Sequence, residues 1–232
     1  SSVAQGSAAA SRASRILHSD RWEIEPTVAV VWPDRCVSAQ GKSCGLCERA
    51  CPYGAIDYEQ GRAAEVITAK CHGCGACVAE CPHDSITQLH YTDAQILAQI
   101  RTLLATEPHK KILALRCHWC SYGGADLAGT SHFEYTSNER GIKVMCSARM
   151  DSDFIYEAYR LGAGAILYSG CHPQDCHYIT GQIVGAKRAK RLETIFERMG
   201  MSPGRFRVEW ISAAEGDKYA RVLNEMQAVL DN

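Results

Sequence analysis

The sequence predicts two domains of different fold class, an α+β domain rich in cysteine followed by an α/β domain with an open parallel sheet. Eight of the 13 cysteines occur in residues 27–90 as two copies of one spacing pattern. From residue 111 onward, apolar runs alternate with helical segments, which is typical of a parallel sheet covered on both faces. A chain of 232 residues is long enough to bury two modest cores.

Composition excludes several classes of partner and favours a reducing compartment. The formal net charge is -1, so no bulk attraction to nucleic acid or to an anionic membrane is expected. No apolar run approaches the ~18 residues of a membrane span, so we expect no direct membrane insertion. The cysteine number is odd and no secretory signal begins the chain, which favours a cytoplasmic protein whose cysteines bind metal or do redox chemistry.

Residues 1–26 are predicted to form an N-terminal helix and a linker. The segment 3–17 is rich in alanine and serine and can form a narrow helical stripe of Ala8, Ala9, Ala13, Ile16 and Leu17. Small residues suit close packing, yet the segment has nothing of its own to pack on. We therefore expect either part of a longer or processed polypeptide, or a frayed terminal helix.

The next segment, residues 27–90, repeats one cysteine pattern. The copies are Cys36, Cys44, Cys47, Cys51 and Cys71, Cys74, Cys77, Cys81. Proline follows the last cysteine of each copy, and strand-prone runs at 27–32 and 64–69 flank the loops. In two-cluster ferredoxins, a C-x2-C-x2-C turn supplies three thiolates to one 4Fe-4S cluster and the cysteine before proline serves the other cluster.

Residues 27–90 thus resemble the bacterial-type ferredoxin domains that carry two 4Fe-4S clusters. One cluster is predicted to use Cys36, Cys44, Cys47 and Cys81, and the other Cys71, Cys74, Cys77 and Cys51. Ile56 and Ile86 occupy matching positions, where each could cover a cluster with apolar surface. A pair of zinc sites is the alternative, but zinc knuckles do not require C-x3-C-P in duplicate.

The first copy departs from this pattern between Cys36 and Cys44. Seven residues separate the two cysteines, whereas two separate Cys71 from Cys74. Cys36 is therefore the least secure ligand, with Asp34 or a water as the alternative. The extra loop is also expected to alter solvent access to its cluster, which is one determinant of reduction potential.

A linker helix is predicted for residues 91–110. Thr92 and Gln95 form a capping-box pattern, and one helical face carries Ile96, Ile100, Leu103 and Leu104.

Residues 111–232 are predicted to form an open parallel sheet of the flavodoxin or Rossmann type. Its strands are expected at 110–117, 141–146, 163–171 and 205–212, and a final helix begins with a capping box of Ser212 and Glu215. No glycine-rich turn follows the first strand, so dinucleotide binding is not favoured.

Five cysteines in this domain are expected to converge. Cys117, Cys146 and Cys171 end predicted strands, and Cys120 and Cys176 lie in the loops that follow two of them. Ligands bind at the carboxyl edge of such sheets, so a second metal site is predicted there. Zinc and a 2Fe-2S cluster both accept four thiolates, and the neighbouring clusters favour iron. The spare cysteine is expected to be Cys120 or Cys176.

Four segments of this domain, "RCHWCSYGGADLAG", "IKVMCSARMD", "GCHPQDCHYITGQIVGAKR" and "RVEWISAAEGDKYA", resemble the delta subunit of methyl-viologen-reducing hydrogenase, a 2Fe-2S protein. The preceding part resembles the C-terminal end of the A-type subunit of heterodisulfide reductase, a flavoprotein, and the two modules occur fused. The resemblance implies an electron-transfer subunit without its own substrate site. It also implies FAD in a partner or a missing N-terminal domain, with a heterodisulfide reductase-like flavoprotein and a hydrogenase or formate dehydrogenase as partners.

Other functions remain open at this point. The same relay could serve a quinone-interacting or an aromatic acyl-CoA reductase complex. Cys117 and Cys120 could form a thiol-disulfide oxidoreductase, or zinc could stabilise a binding module. The spacing of a Rieske centre is absent, so His118, His172 and His177 are predicted to hydrogen-bond near the site or to lie on the surface.

A basic run is predicted on the solvated face of a late helix, with a docking patch for an acidic partner as the alternative. The run is Lys187, Arg188, Lys190 and Arg191, and the opposite face would offer Leu192, Ile195, Phe196 and Met199 to the core.

Overall fold

The computed structural model describes residues 2–18 and 26–231. Helix α1 spans Ser2–Leu17, which confirms the helix predicted for 3–17. Ala8, Ala9, Ala13 and Leu17 of the predicted stripe are exposed. The side chain of Ile16 and most of the predicted linker lie outside the described residues. None of the described helices is long and apolar enough to cross a membrane.

The cysteine-rich domain is built from two small antiparallel pairs of strands and two short helices. Strand β1 (Ala29–Val31) pairs with β4 (Ile86–Gln88), and β2 (Ile56–Asp57) pairs with β3 (Glu65–Val66). Helices α2 (Leu46–Ala50) and α3 (Ala76–Ala79) each follow a glycine with positive φ, Gly45 and Gly75. Ile56 and Ile86 are buried with Cys47 and Cys77 in one core. The cysteine loops therefore surround that core.

The C-terminal domain contains the predicted parallel sheet. The strands are β5 (Ile112–Cys117), β6 (Glu139–Val144), β7 (Ala165–Gly170) and β8 (Phe206–Trp210), in the order β6-β5-β7-β8. All three pairings are parallel. Strand β6 ends two residues before Cys146, so this cysteine lies just beyond the strand rather than on it. This confirms an α/β domain.

Helices cover both faces of the sheet. They are α5 (Ser121–Thr130), α6 (Ser152–Arg160), α7 (Gly181–Arg198) and α8 (Gly216–Leu230). Alternate residues of β5 enter different cores: Leu113 and Leu115 pack with α6 and α7, whereas Ile112 and Ala114 pack with α5 and α8. Burial on both faces explains why the central strands read as continuous apolar runs.

Helix α4 (Asp93–Leu103) begins with the predicted capping box. The Thr92 hydroxyl accepts from the Gln95 N–H at 3.2 Å, and the Gln95 side chain accepts from the Thr92 N–H at 2.9 Å. Ile96, Ile100 and Leu104 are buried in the core of the C-terminal domain. The helix is therefore part of that core as well as the connection between domains.

The second predicted capping box is only half formed. The Glu215 carboxylate accepts from the Ser212 N–H at 2.7 Å, but the Ser212 hydroxyl accepts from the Ala214 N–H at 3.3 Å. Helix α8 consequently begins at Gly216, four residues later than predicted. The same Glu215 carboxylate oxygen also lies 2.5 Å from His172 Nε2.

The prediction for α7 was partly wrong. Leu192 and Phe196 enter the core as expected, whereas Ile195 and Met199 are exposed. Within the basic run, Lys187, Lys190 and Arg191 are exposed, but Arg188 is buried. Its guanidinium donates to backbone carbonyls inside the protein, so Arg188 does not belong to a solvated face.

We predict that a fragment of residues 91–232 is more stable than one of residues 107–232. The shorter fragment lacks Ile96, Ile100 and Leu104, and each buried aliphatic side chain stabilises by about 1.5–3 kcal/mol. Urea unfolding followed by circular dichroism measures the difference. In the full chain, Ile100→Ala should cost about 2–5 kcal/mol. The partly buried Leu103 gives the matched control, Leu103→Ala, which should cost less; equal losses would contradict this account.

Candidate cluster-binding sites

The first cysteine site is a cavity that both copies of the repeat line. Cys36, Cys44 and Cys47 come from the first copy and Cys81 from the second. Apolar side chains complete the wall, among them Leu46 and Ile86. The structure thus brings together the four cysteines that the sequence assigned to one site.

The long insert after Cys36 folds against the neighbouring hairpin. A 3-10 turn, Val37–Gln40, buries Ser38, whose hydroxyl donates to the Glu59 carbonyl at 3.0 Å. Gly41 then reverses the chain with φ of 83°. The insert keeps Cys36 buried, whereas Asp34 is exposed and does not line the cavity. This placement favours Cys36 over Asp34.

Two polar contacts hold sulfur-bearing residues at this site. The Tyr58 hydroxyl accepts from the Cys44 N–H at 2.9 Å, and Ser85 Oγ lies 3.0 Å from Cys81 Sγ. Burial, with smaller contributions from the charges of Cys81 and Cys44, raises the pKa of Cys47 to about 11. Thiolates at this site therefore need a compensating cation.

The second site holds the remaining cysteines of the repeat. Burial raises the pKa of Cys74 to about 11, with further contributions from the nearby Cys51 and Cys71. Burial also raises the pKa of Cys77 well above its usual value, and the same three cysteines add to the shift. Cys51 thus lies with the loop of the other copy, as the crossed pattern predicts.

The third site gathers all five cysteines of the C-terminal domain. Cys117 Sγ at the end of β5 lies 3.6 Å from Cys171 Sγ after β7. Sulfur contacts from Cys120 and Cys171 lower the pKa of Cys117 to about 2. The carboxyl edge of the sheet therefore collects these side chains, as the position of the strands predicted.

Cys176 and Cys146 form the other half of this site. Sulfur contacts from Cys146 and then Cys171 lower the pKa of Cys176 to about 2. The Cys176 contact in turn raises the pKa of Cys146 well above its usual value, and burial adds to the rise. The five sulfurs thus form two groups. Cys117, Cys120 and Cys171 form one, and it contacts the pair of Cys146 and Cys176.

A glycine that the sequence analysis did not single out makes room for this pair. A Cβ at Gly181, the first residue of α7, would overlap Cys146 Sγ and lie 3.3 Å from Cys176 Sγ. The N–H of the next residue, Gln182, donates to Cys176 Sγ at 3.3 Å. In the sequence, Gly181 could have been recognised as a glycine that lies five residues after Cys176 and begins a helix.

The three neighbouring histidines have other contacts. His172 Nε2 lies 2.5 Å from a Glu215 carboxylate oxygen, and His177 stacks on Trp119 with ring centroids 3.7 Å apart. His118 packs edge-on against Trp119, and burial lowers its pKa. His118 and His177 thus both contact Trp119, next to the third site.

The second and third sites adjoin across the seam between the domains. Cys74 and Cys146 belong to one buried apolar cluster, together with Ala76 and Tyr178. Burial and then the charges of Cys74 and Cys176 raise the pKa of Tyr53 to about 12, so this ring lies near both sites. No comparable shared core links the first site to the C-terminal domain within the described residues.

Arg188 forms hydrogen bonds across the same interface between the two domains. Its guanidinium donates to the Ala148 carbonyl at 2.7 Å in one domain and to the Ala79 carbonyl at 3.1 Å in the other. It also pairs with Glu80. A charged side chain in this position is stabilised only because carbonyls and a carboxylate surround it.

The donor atoms at all three sites are cysteine sulfurs. Thiolate donors are accepted both by zinc and by iron-sulfur clusters, so the donor set alone does not choose between them. Measured metal content therefore distinguishes the two chemistries.

Comparisons with known proteins agree with iron-sulfur chemistry. Residues 112–232 match the family described as methyl-viologen-reducing hydrogenase, delta subunit, and residues 43–92 match the LdpA Fe-S cluster-binding domain. An iron-sulfur-binding domain therefore lies in the N-terminal part of the chain.

Several curated proteins are similar to this chain. The A-type subunit of the CoB-CoM heterodisulfide reductase of Methanosarcina acetivorans is 40% identical over 99% of this chain, which spans 28% of that relative's length. The D-type iron-sulfur subunit of the F420-non-reducing hydrogenase of Methanococcus voltae is 40% identical over 50% of this chain and 81% of its own length. The corresponding subunit of Archaeoglobus profundus is 37% identical over 55% of this chain and 93% of its own length.

These matches confirm the resemblance predicted from the cysteine motifs. The delta-subunit match extends over more than half of the chain, from the first residue of β5 to the C-terminus. The chain belongs to the methyl-viologen-reducing hydrogenase delta-subunit family, in which it joins that module to an N-terminal iron-sulfur-binding domain.

Proposed function

We propose that this chain is a cytoplasmic iron-sulfur electron-transfer subunit with two 4Fe-4S clusters and one 2Fe-2S cluster. It relays electrons between a donor such as a hydrogenase or formate dehydrogenase and a heterodisulfide reductase-like flavoprotein that holds FAD. The observation that carries this proposal is the shared buried cluster of Cys74 and Cys146, which joins two cysteine sites. Similarity to a heterodisulfide reductase subunit on one side and to a hydrogenase iron-sulfur subunit on the other supports both partners.

The N-terminal domain in this proposal is ferredoxin-like. Its first 4Fe-4S cluster is held by Cys36, Cys44, Cys47 and Cys81, and its second by Cys71, Cys74, Cys77 and Cys51. The common cavity of the first four supports the crossed assignment. So does the mutual effect of Cys51, Cys71 and Cys74 on the pKa of Cys77.

For the 2Fe-2S cluster, we assign Cys146 and Cys176 to one iron and Cys117 and Cys171 to the other. The grouping of the sulfurs supports this division, because each pair is in contact. Cys120 is then the spare cysteine, since it is the more exposed member of the group of three. Cys176, the other candidate, accepts a backbone N–H and is needed to complete the second pair.

An iron-sulfur cluster supplies one-electron transfer when it is bound, and the protein sets the potential. Apolar walls at the first site and the buried Cys117, Cys146 and Cys171 at the third limit water. The Gln182 N–H at Cys176 donates to a ligand sulfur, and hydrogen bonds of this kind raise reduction potential by stabilising negative charge.

A thiol-disulfide enzyme is the second candidate, because sulfur contacts lower the pKa of Cys117 to about 2. A low pKa favours a reactive thiolate. However, Cys117 is only 1% exposed, so a protein disulfide could not reach it. Iodoacetamide labelling of iron-loaded protein distinguishes the two functions. An electron relay should leave Cys117 unlabelled, whereas a thiol-disulfide enzyme should have a Cys117 that the reagent alkylates. Co-purifying subunits would likewise distinguish a quinone-interacting or aromatic acyl-CoA reductase complex.

The first prediction from this proposal concerns metal content. Anaerobically purified protein should contain about ten irons per chain, four from each 4Fe-4S cluster and two from the third site. Inductively coupled plasma mass spectrometry measures iron and zinc together. A result of about three zinc ions with little iron would remove the relay and favour the zinc-stabilised module.

A second prediction tests crossed ligation with paired double variants. Cys47→Ala/Cys81→Ala should lose one 4Fe-4S cluster and keep about six irons, because both residues serve the same cluster. The matched variant Cys47→Ala/Cys51→Ala should lose both clusters and keep about two irons. Iron analysis with electron paramagnetic resonance spectroscopy counts the clusters. The opposite pattern would show that each copy ligates its own cluster.

A third prediction separates the two candidate spare cysteines. Cys120→Ser should retain the rhombic 2Fe-2S signal of the reduced protein, because four ligands remain. Cys176→Ser should lose it, because Cys146 would be left without its partner. Electron paramagnetic resonance of the full chain provides the measurement. Retention in Cys176→Ser together with loss in Cys120→Ser would reverse the assignment.

A further inference from the structure

Arg149 is a buried cation at the seam between the two domains. Its side chain has 0% exposure, and it ends the 3-10 turn Ser147–Arg149 that follows Cys146. Nη2 donates to the Tyr91 carbonyl at 2.9 Å and to Asp93 Oδ1 at 2.6 Å. The guanidinium also lies over the Phe154 ring, 5.1 Å from its centroid.

The rest of this guanidinium lacks hydrogen-bond partners. Nε and Nη1 are both buried with no partner among the described residues. Buried arginines are normally surrounded by acceptors, since an unpaired donor in an apolar site is costly. Asp93, the counter-charge, is itself 41% exposed, so water weakens its compensation. Arg149 therefore places a buried positive charge at this interface, which Asp93 and the nearby Asp151 offset only in part.

The loop of the second cysteine site lies beside this charge. A Cβ at Gly75 would lie 2.5 Å from Arg149 Cδ and 2.5 Å from Gln88 Oε1. Gly75 has φ of 77° and stands between Cys74 and Cys77, at the start of α3. The arginine stem thus packs directly against the backbone that presents these two cysteines. Gln88 Oε1 is also buried without a hydrogen-bond partner among the described residues, next to the same glycine.

We propose that Arg149 is a positioning residue that raises the midpoint potential of the cluster held by Cys51, Cys71, Cys74 and Cys77. This inference rests on the proposed iron-sulfur function. Reduction adds one electron, and hence one negative charge, to a cluster already surrounded by thiolates. A fixed cation in a low-dielectric seam favours that reduced state.

The effect should be specific to one cluster. At the first site, Arg49 Nη1 would lie 3.2 Å from a Cβ at Gly45, but Arg49 is exposed, so solvent screens its charge. The described residues that line the cavity of Cys36, Cys44, Cys47 and Cys81 include no arginine. Arg149 is also only three residues from Cys146, so it lies on the side of the second site that faces the 2Fe-2S position. The cluster nearest to the C-terminal domain then becomes the preferred electron site of the N-terminal domain.

The experiment is an anaerobic redox titration of the full chain, monitored by electron paramagnetic resonance. Arg149→Gln removes the charge and should lower the midpoint potential of one 4Fe-4S transition while leaving the other in place. Arg149→Lys keeps the charge and should restore most of that potential. Asp93→Asn removes the counter-charge and should shift the same transition upward.

Arg101→Gln is the matched control, because it also removes an arginine from an ion pair. Arg101 pairs with Glu157 at 2.7 Å but is 58% exposed, so solvent screens its charge. Its substitution should leave both potentials unchanged. Shifts in Arg101→Gln as large as in Arg149→Gln would overturn the proposal, as would an unmoved potential in Arg149→Gln.

Two further outcomes are informative. If Arg149→Gln does not bind its cluster, Asp93→Asn decides: an upward shift supports the proposal and an unchanged potential overturns it. A wild-type protein without 4Fe-4S signals would overturn the proposed function itself. Wild-type signals with potentials that no variant moves would overturn only the role of Arg149.

Discussion

The cost of placing thiolates in sites with little water is the constraint on which the rest of the structure depends. Burial raises the pKa of Cys47 and Cys74 to about 11, so as free thiols these groups would stay protonated at neutral pH. The strands beside them have only two or three residues, and isolated pairs of this size are marginal in water. A bound cation would therefore stabilise the N-terminal fold as well as the thiolates.

The turn after Cys146 contacts both the C-terminal cysteine site and the N-terminal domain. Cys146 faces the sulfurs of the C-terminal site, while Ala148 packs in the cluster that contains Cys74. Arg188 bonds the Ala148 and Met150 carbonyls on one side and Ala79 on the other. Hydrogen bonds across the seam hold the two cysteine sites in a defined arrangement, so their spacing does not depend on a flexible linker.

Sequence reasoning predicted the elements whose signals are local. Continuous apolar runs gave the four parallel strands, and their ends located Cys117 and Cys171 at one edge. The Thr92 capping box also formed as predicted. Burial of the Arg188 charge was not predictable from the sequence. The basic run around it looks the same whether the side chain is solvated or donates to a carbonyl of the other domain. The contact of Glu215 with His172, 43 residues away, is equally non-local.

The sheet order β6-β5-β7-β8 also bears on how the protein is assembled. Cys117 and Cys171 are 54 residues apart and become neighbours only when β5 pairs with β7. Long-range parallel pairing is slow, because the entropy of closing the intervening loop is lost before the contacts form. The C-terminal site therefore does not exist in a nascent or partly folded chain. In the proposed relay, a cluster at this site could therefore be completed only once β5 and β7 have paired.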